Sequence, residues 1–392
     1  MDNPLISTLQ DKIQLKDRTQ VLRRVRLNWW LYQSNESKVI EKLLSTLNHA
    51  LLPQKIYLDE AKKLIDYQVY QQTRDYLEEA LQHYPNKSQL GQIHFLLARC
   101  CQGLGNLEDA LDHLRNALEW EPSKSEYWNL QADCLLELGE WQEAITCLNK
   151  SLRSSPRDAD TIYRLGSIYL FHGEYGEALN CFNGCCELKP YNPEYWEIKA
   201  EILLKLDKLT AASECFQKAI RYGGNTHLMA RLAYCYAENG DLKRAKKIFQ
   251  KVLKTEPDNF EALCNLGGIY HKHGKDEQAY KLLKKAYLQN CNDAMLLNNL
   301  GYVCFRLGRS RKAIEYYNQA LAISPTNEII LYNLGACYYE KGLWEEARAT
   351  LEKILRSNKH NSAAWILLGN VYEQLAKPKL AVDCFNKSLG LA

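Results

Sequence analysis

The sequence predicts an all-α chain, an alpha-alpha solenoid of about ten stacked helical hairpins. Two observations predict it. Small residues return every 34 positions along almost the whole chain: Ala98, Ala132, Gly166, Ala200, Ala233, Gly267, Gly301, Gly335 and Gly369. A second track runs twelve residues behind, through Ala110, Ala144, Ala178, Ala212, Ala245, Ala279, Ala313, Ala347 and Ala381, and Pro122, Pro156, Pro190, Pro257 and Pro325 close many of the periods. A fixed period of this length marks supersecondary units that bury their apolar faces only by stacking on one another. The second observation is the lack of strand patterning, which leaves helices as the only regular element.

Residues 1–53 stand outside the period and read as an N-terminal helical cap. Residues 5–33 form one expected helix, with Leu15, Leu22, Val25 and Trp29 or Trp30 as its apolar stripe; Ser34-Asn35 breaks it, and Ser37–Leu52 forms another. Between Lys12 and Arg26 six basic residues face one acidic residue, Asp17. That stretch suits either a basic surface for an anionic membrane or partner, or a cap whose Leu and Trp side chains cover the first repeat.

The array occupies 54–392. Its first unit, 54–87, is degenerate: Leu77, Ala80 and Pro85 fit the pattern, and Thr73 stands where Ala is usual. Nine clear units follow at 91–124, 125–158, 159–192, 193–225, 226–259, 260–293, 294–327, 328–361 and 362–392. The unit 294–327 shows the construction. Leu297, Leu300, Gly301 and Cys304 share one helix face. Gly308 in Leu307-Gly308-Arg309 supplies the left-handed residue that ends the helix. Ala313, Ile314, Tyr317, Ala320 and Leu321 share a face of the second helix, which stops before Pro325. Gly301 and Ala313 are small because the two helices cross closely there.

Two places depart from the period. The unit 193–225 is one residue short and closes with Tyr222-Gly223-Gly224-Asn225, which predicts a local change of twist dividing a front half from a back half. At the other end the helix bearing Phe385 and Leu389 has no further helix behind it in the sequence, whereas solenoids need a polar cap. The expectation is either a piece of a longer protein or an end that docks on something, including a second copy.

These residues resemble the tetratricopeptide repeat family, whose pattern is a Trp or other large residue, Leu-Gly, Tyr, Ala, Phe, Ala, then Pro. The unit 362–392 carries Trp365, Leu368, Gly369, Tyr372, Ala381 and Phe385; the unit 125–158 carries Trp128, Ala132, Gly139, Ala144, Leu148 and Pro156. The resemblance implies a right-handed superhelix and a protein–protein scaffold or adaptor that holds an extended or disordered partner segment in its concave groove, lined by the first helix of each unit. It leaves open the substrate-recognition arm of a larger, glycosyltransferase-like enzyme and a self-associating assembly or secretion chaperone.

The sixth residue of each first helix is then expected to face the groove: Leu130, Arg164, Ile198, Arg231, Asn265, Asn299, Asn333 and Leu367. Three successive asparagines can each pair with the N–H and C=O of a peptide backbone. This resembles the asparagine ladder in the repeats of O-linked N-acetylglucosamine transferase. Tyr234, Asn298, Tyr302, Phe305, Tyr332, Tyr339 and Asn370 are expected beside it as an adaptable surface of aromatic rings and amides. In the front half Glu126, Asp133, Glu137, Asp160, Glu194, Glu197 and Glu201 form an expected acidic wall around Arg164, either a lure for a basic ligand or a solvated face. The Lys, Asn, Asn, Lys and Arg clamp by which some relatives hold a C-terminal carboxylate is missing; Arg231 before Asn265 reverses its order.

Other functions find little support. The net charge of +3 is too small to indicate nucleic acid. No stretch approaches a transmembrane span, and the N-terminus lacks the apolar core of a signal peptide. No Gly-rich phosphate loop, nucleophile elbow or catalytic triad pattern occurs, so no catalytic residue, cofactor or metal is expected. The segment Gly268–Lys275 has wrong loop spacing, and His271 and His273 point to different sides of a helix. The fourteen cysteines recur at packing positions, Cys100, Cys134, Cys235 and Cys337 at one, Cys147, Cys181, Cys215 and Cys384 at another. Small apolar fillers of this kind suit a reducing, cytoplasmic location. The cluster Cys181, Cys185, Cys186 is the alternative metal or redox site, though no partner at zinc-finger spacing joins it.

Overall fold

The computed structural model describes residues 58–83 and 89–391. The expected N-terminal cap, the start of the degenerate unit and Pro85 lie outside the described residues. The described residues form helices paired as hairpins and contain no strand. They fall into two compact units that part between Tyr191 and Asn192.

The first unit holds four hairpins. They are α1 (Leu58–Asp66) with α2 (Tyr70–His83), α3 (Leu90–Leu104) with α4 (Leu107–Trp120), α5 (Ser125–Glu137) with α6 (Trp141–Ser154), and α7 (Ala159–Phe171) with α8 (Tyr175–Leu188). Thr73, in the usual alanine place, is fully buried and donates its hydroxyl to the Val69 carbonyl at 2.5 Å, which satisfies it within its own helix.

The second unit holds six: α9 (Pro193–Lys205) with α10 (Leu209–Gly223), α11 (Thr226–Glu238) with α12 (Leu242–Thr255), and α13 (Phe260–Lys272) with α14 (Asp276–Gln289). Then come α15 (Ala294–Arg306) with α16 (Ser310–Ile323), α17 (Glu328–Glu340) with α18 (Trp344–Ser357), and α19 (Ser362–Gln374) with α20 (Pro378–Ser388). Every first helix here starts at an Asn or Asp whose side chain accepts a free backbone N–H: Asn192, Asn225, Asn259, Asp293, Asn327 and Asn361. This fixes the start of each unit at a single residue.

The expected close crossing is present. A Cβ on Gly301 would lie 2.7 Å from the ring of Tyr317, which is itself fully buried. The turn inside each hairpin needs one left-handed residue. Gly308 supplies it at φ 72°, whereas Asp207 and Ala376 supply it at 56° and 55° without being glycine. The Trp at the fourth place of a unit is tied to the loop before it: the Trp128 indole donates to the Pro122 carbonyl, and that of Trp365 to the Lys359 carbonyl.

Two expectations need correction. The short unit with Tyr222–Asn225 does not divide the chain. It lies wholly inside the second compact unit, and the division falls one hairpin earlier, at Tyr191. The glycines there serve the turn itself, since a Cβ on Gly224 would sit 2.4 Å from the Ile220 Cα. The other correction concerns which side is open. Within the second unit successive first helices touch each other, α11 with α13, α13 with α15, α15 with α17 and α17 with α19; each second helix packs mainly on its own partner and the next first helix. First helices therefore line the inner side there, as expected, but their sixth residues sit in the seams between them.

Candidate functional site

In the seams, Ile198, Arg231 and Leu367 are buried, and Arg164, Asn265, Asn299 and Asn333 are half-buried. Arg231 was expected to contact a ligand. Instead it is 6% exposed, and its Nε and Nη2 each donate to a Glu201 carboxylate oxygen at 2.7 Å. Its Nη1 reaches Glu261 at 3.4 Å. Glu201, an expected member of the acidic wall, is thus buried as the other half of a bidentate pair. Burial works against the Arg231 charge, but the bonds to Glu201 and the charges of Glu201 and Glu261 outweigh it and hold the guanidinium above its ordinary value. Glu261 has one cation to share with Glu201, and burial pushes its carboxyl up despite Arg231.

The asparagines divide in the same way. Asn298, expected on the groove, is 5% exposed and accepts the Asn333 amide at 2.9 Å. Asn265 donates its amide back to the Glu261 carbonyl of its own helix at 2.9 Å. The half-buried Asn299 side chain makes no hydrogen bond among the described residues and keeps both donor and acceptor available. The ladder is therefore one free carboxamide flanked by two whose amide nitrogens each already donate one bond. A buried amide such as Asn298 requires a partner, and position 333 supplies it.

Arg164 pairs with Asp133 and also donates to the Asn129 carbonyl at 3.3 Å; burial lowers its pKa. Elsewhere in the expected wall Glu137 accepts from Gln102 and Asp160 from Lys189, Glu126 and Glu194 are exposed, and Glu197 is half-buried. Tyr234 lies half-buried under the Arg231 guanidinium at 5.4 Å. Tyr302 is 37% exposed and packs edge-on against His271. Tyr332 and Asn370 are half-buried, as are Phe305 and Tyr339.

The sequence reading missed the residues that do stand open on the first helices. Met295 and Ile329 occupy the second place of their units and Ile366 the fifth, and they are 39%, 56% and 48% exposed. With Tyr302 they leave large apolar groups uncovered on α15, α17 and α19. Their signal was present: each is a large apolar residue off the buried stripe of its helix.

Eleven of the fourteen thiols are buried, Cys181 and Cys264 are half-buried and Cys291 is exposed; all are free. Burial pushes Cys100, Cys134 and Cys185 up to about 12, so they are poor nucleophiles and poor metal ligands. Among the described residues no group of three His, Cys, Asp or Glu side chains is placed to hold a metal ion. His271 Nδ1 meets Asp276 at 2.5 Å and His273 Nδ1 meets the Ile269 carbonyl, so the two rings serve different contacts. No described helix is long and apolar enough to cross a membrane. On α20 Leu380 and Val382 are exposed, as is Leu389 just beyond its end.

Models of the tetratricopeptide repeat match residues 64–134 and 305–371, 258–326, 125–158, 229–259, and 159–192, 193–222 and 362–392. No curated protein matches. Among solved structures, Cut9 in the APC/C hetero-tetramer Cut9-Hcn1 is similar at 19% identity over 80% of this chain and 63% of that one, with a TM-score of 0.52. MamA is 28% identical over 41% of this chain and 94% of its own, at a TM-score of 0.39. YrrB, described as a TPR protein with an unusual peptide-binding site, is 19% identical over 46% and 93%, at 0.41. The likeness to Cut9 is one of fold.

Proposed function

The chain belongs to the tetratricopeptide repeat family, and from that premise we propose that the inner face of its second unit holds an extended or disordered segment of a protein partner. The fold is that of a protein–protein interaction scaffold, and repeats of this family are in general non-catalytic. One observation carries the finer reading: Met295, Tyr302, Ile329 and Ile366 stand exposed on consecutive first helices. Large apolar side chains left in water on neighbouring helices of a folded chain suit an interaction surface.

Asn299 is the residue to grip a ligand backbone. Asn265 and Asn333 each have one amide N–H already engaged, which leaves the carbonyl oxygen and a single N–H for that purpose. Each net hydrogen bond contributes about 1 kcal/mol, so apolar contacts must supply most of the affinity, and the ligand is one with bulky apolar side chains. Arg164 and its neighbours in the first unit make no claim on this segment.

Selection of binders from a displayed library of random peptides, followed by titration, tests the reading. Tyr302→Ser with Ile329→Ser should weaken the selected peptides by about tenfold or more. Asn299→Ala should weaken them less and leave stability unchanged, while Asn333→Ala should lower stability by stranding Asn298. Peptides that bind both variants as they bind the parent would remove the inner face from consideration. Self-association through α20 is a second reading, motivated by the exposed Leu380, Val382 and Leu389; light scattering that shows a strict monomer at high concentration removes it.

A further inference from the structure

The second helix α12 reads LKRAKKIFQKVLKT: six cations and no carboxylate in fourteen residues. The chain's net charge of +3 conceals this concentration. Ala245, Phe249 and Val252 are buried against the repeat, so the basic residues take the outward side. Lys243, Arg244, Lys247, Lys251 and Lys254 are exposed. Lys243 precedes Lys247 by one helical turn, and Lys247 precedes Lys251 by another. Like charges at this spacing oppose the helix.

The carboxylates nearest in sequence form no ion pair with the lysines of α12. Asp241 pairs with the helix's own Arg244 and Asp258 with Lys285, while Glu256 keeps its charge and is held by Asn259 at 2.9 Å and by Thr226. Lys243, Lys247, Lys251 and Lys254 have no ion pair among the described residues. Beside them lies a depression of about 870 Å³. Its apolar wall comes from Leu232 of α11, Ile248 and Leu253 of α12, and Leu266 of α13; Tyr236 and Gln217 close it, joined by a 2.7 Å hydrogen bond. Lys247, Lys251 and Lys254 stand on its rim.

We propose that this basic, apolar-walled depression on α12 is a second docking site, whose occupant is an acidic segment of a partner protein bearing interspersed apolar side chains. Charge complementarity selects the acidic character. Uncompensated lysines draw in and orient such a segment, and the apolar wall gives its non-polar side chains a place to go. A nucleic acid would satisfy the lysines but leave the apolar wall without a counterpart, and the single Tyr236 is a poor stacking platform. A flat lipid surface would meet the rim and not the wall. The site uses a different surface from the inner face, so each can fail without the other.

Fluorescence anisotropy on the full chain tests it, with a labelled peptide of Glu and Asp carrying leucines at helical spacing. Binding should weaken as salt rises. Lys247→Glu with Lys251→Glu and Lys254→Glu should weaken it by about tenfold or more; the Lys→Gln triple, the substitute if charge reversal disturbs the far-UV spectrum, should weaken it in the same direction. Replacing the peptide's leucines by serine should also weaken it severalfold. Tyr302→Ser with Ile329→Ser should bind the peptide as the parent does; loss there would place the peptide on the inner face and overturn the proposal. Indifference to the lysine variants would overturn it, as would equal binding of the serine peptide. Tighter binding of oligouridylate or phosphatidylserine vesicles than of the acidic peptide would do the same.

Discussion

Replacing Arg231 with Met separates a structural arginine from a ligand-binding one. The substitution keeps the length of the side chain and removes its charge and its donors. In the parent, Glu201 is 5% exposed at its side chain and takes two guanidinium bonds at 2.7 Å. Without Arg231 that carboxylate is buried with no counter-charge and loses both donors. Breaking a buried pair from one side costs about 3–5 kcal/mol. An exposed arginine kept for a ligand would cost roughly 0.5 kcal/mol or less to remove. The gap between those figures decides the matter. Guanidinium denaturation of the parent, Arg231→Met, Glu201→Leu and the double variant should show a large loss for each single change and a much smaller one for the double. Removing both partners together leaves only Glu261 without its 3.4 Å neighbour. The reasoning fails if Arg231→Met costs less than about 1 kcal/mol, or if the double variant is as damaged as the sum of the singles.

Two further outcomes follow from the packing and the thiols. Gly301→Ala should cost about 1–3 kcal/mol in the same denaturation assay, because its Cβ would meet the buried Tyr317 ring at 2.7 Å; Gly268→Ala, with open space around it in the middle of α13, should gain about 0.5–1 kcal/mol. Burial raises the thiols of Cys100 and Cys134 from 9.0 to about 12. A raised folded value means stability that is complete below pH 9.0 and is lost as pH rises toward 12, since the unfolded thiols ionise first. Denaturation midpoints should therefore fall across that window, by about 1.4 kcal/mol per pH unit for each such thiol, and Cys100→Ala should flatten the fall. A pH-independent midpoint between 9.0 and 12 would contradict the burial.

The fold was legible because the small-residue tracks record a geometric necessity. Gly301 and Ala313 recur where helices cross, and the crossing leaves no room for larger groups at either. The cysteine positions were legible for the same reason. The inner face was harder to read. Assigning one groove residue per helix treats each helix as having a core side and an open side, but a stacked helix has neighbours on both flanks. The sixth place falls in the flank, so Ile198, Arg231 and Leu367 are buried there. The bond from Asn333 to Asn298 joins residues 35 apart and leaves no local trace in composition. The charge run of α12 was visible as composition, yet only the fold shows that the nearby carboxylates make no ion pair with its lysines.

The seam between first helices explains why some of the most polar residues of the second unit are among its least accessible. An apolar seam, such as that at Ile198 or Leu367, tolerates small sliding because dispersion is non-directional. A bidentate Arg–carboxylate pair and an amide–amide bond do not, since their geometry admits one register. Arg231 holds α11 against α9, and Asn333 holds α17 against α15. The polar seams thus fix the register of helices whose open residues, Met295, Tyr302 and Ile329, must line up from one hairpin to the next to present a continuous surface. A substitution at Arg231 or Asn333 that spares folding should then disturb binding through that alignment, by shifting the open residues relative to one another while leaving each of them chemically intact.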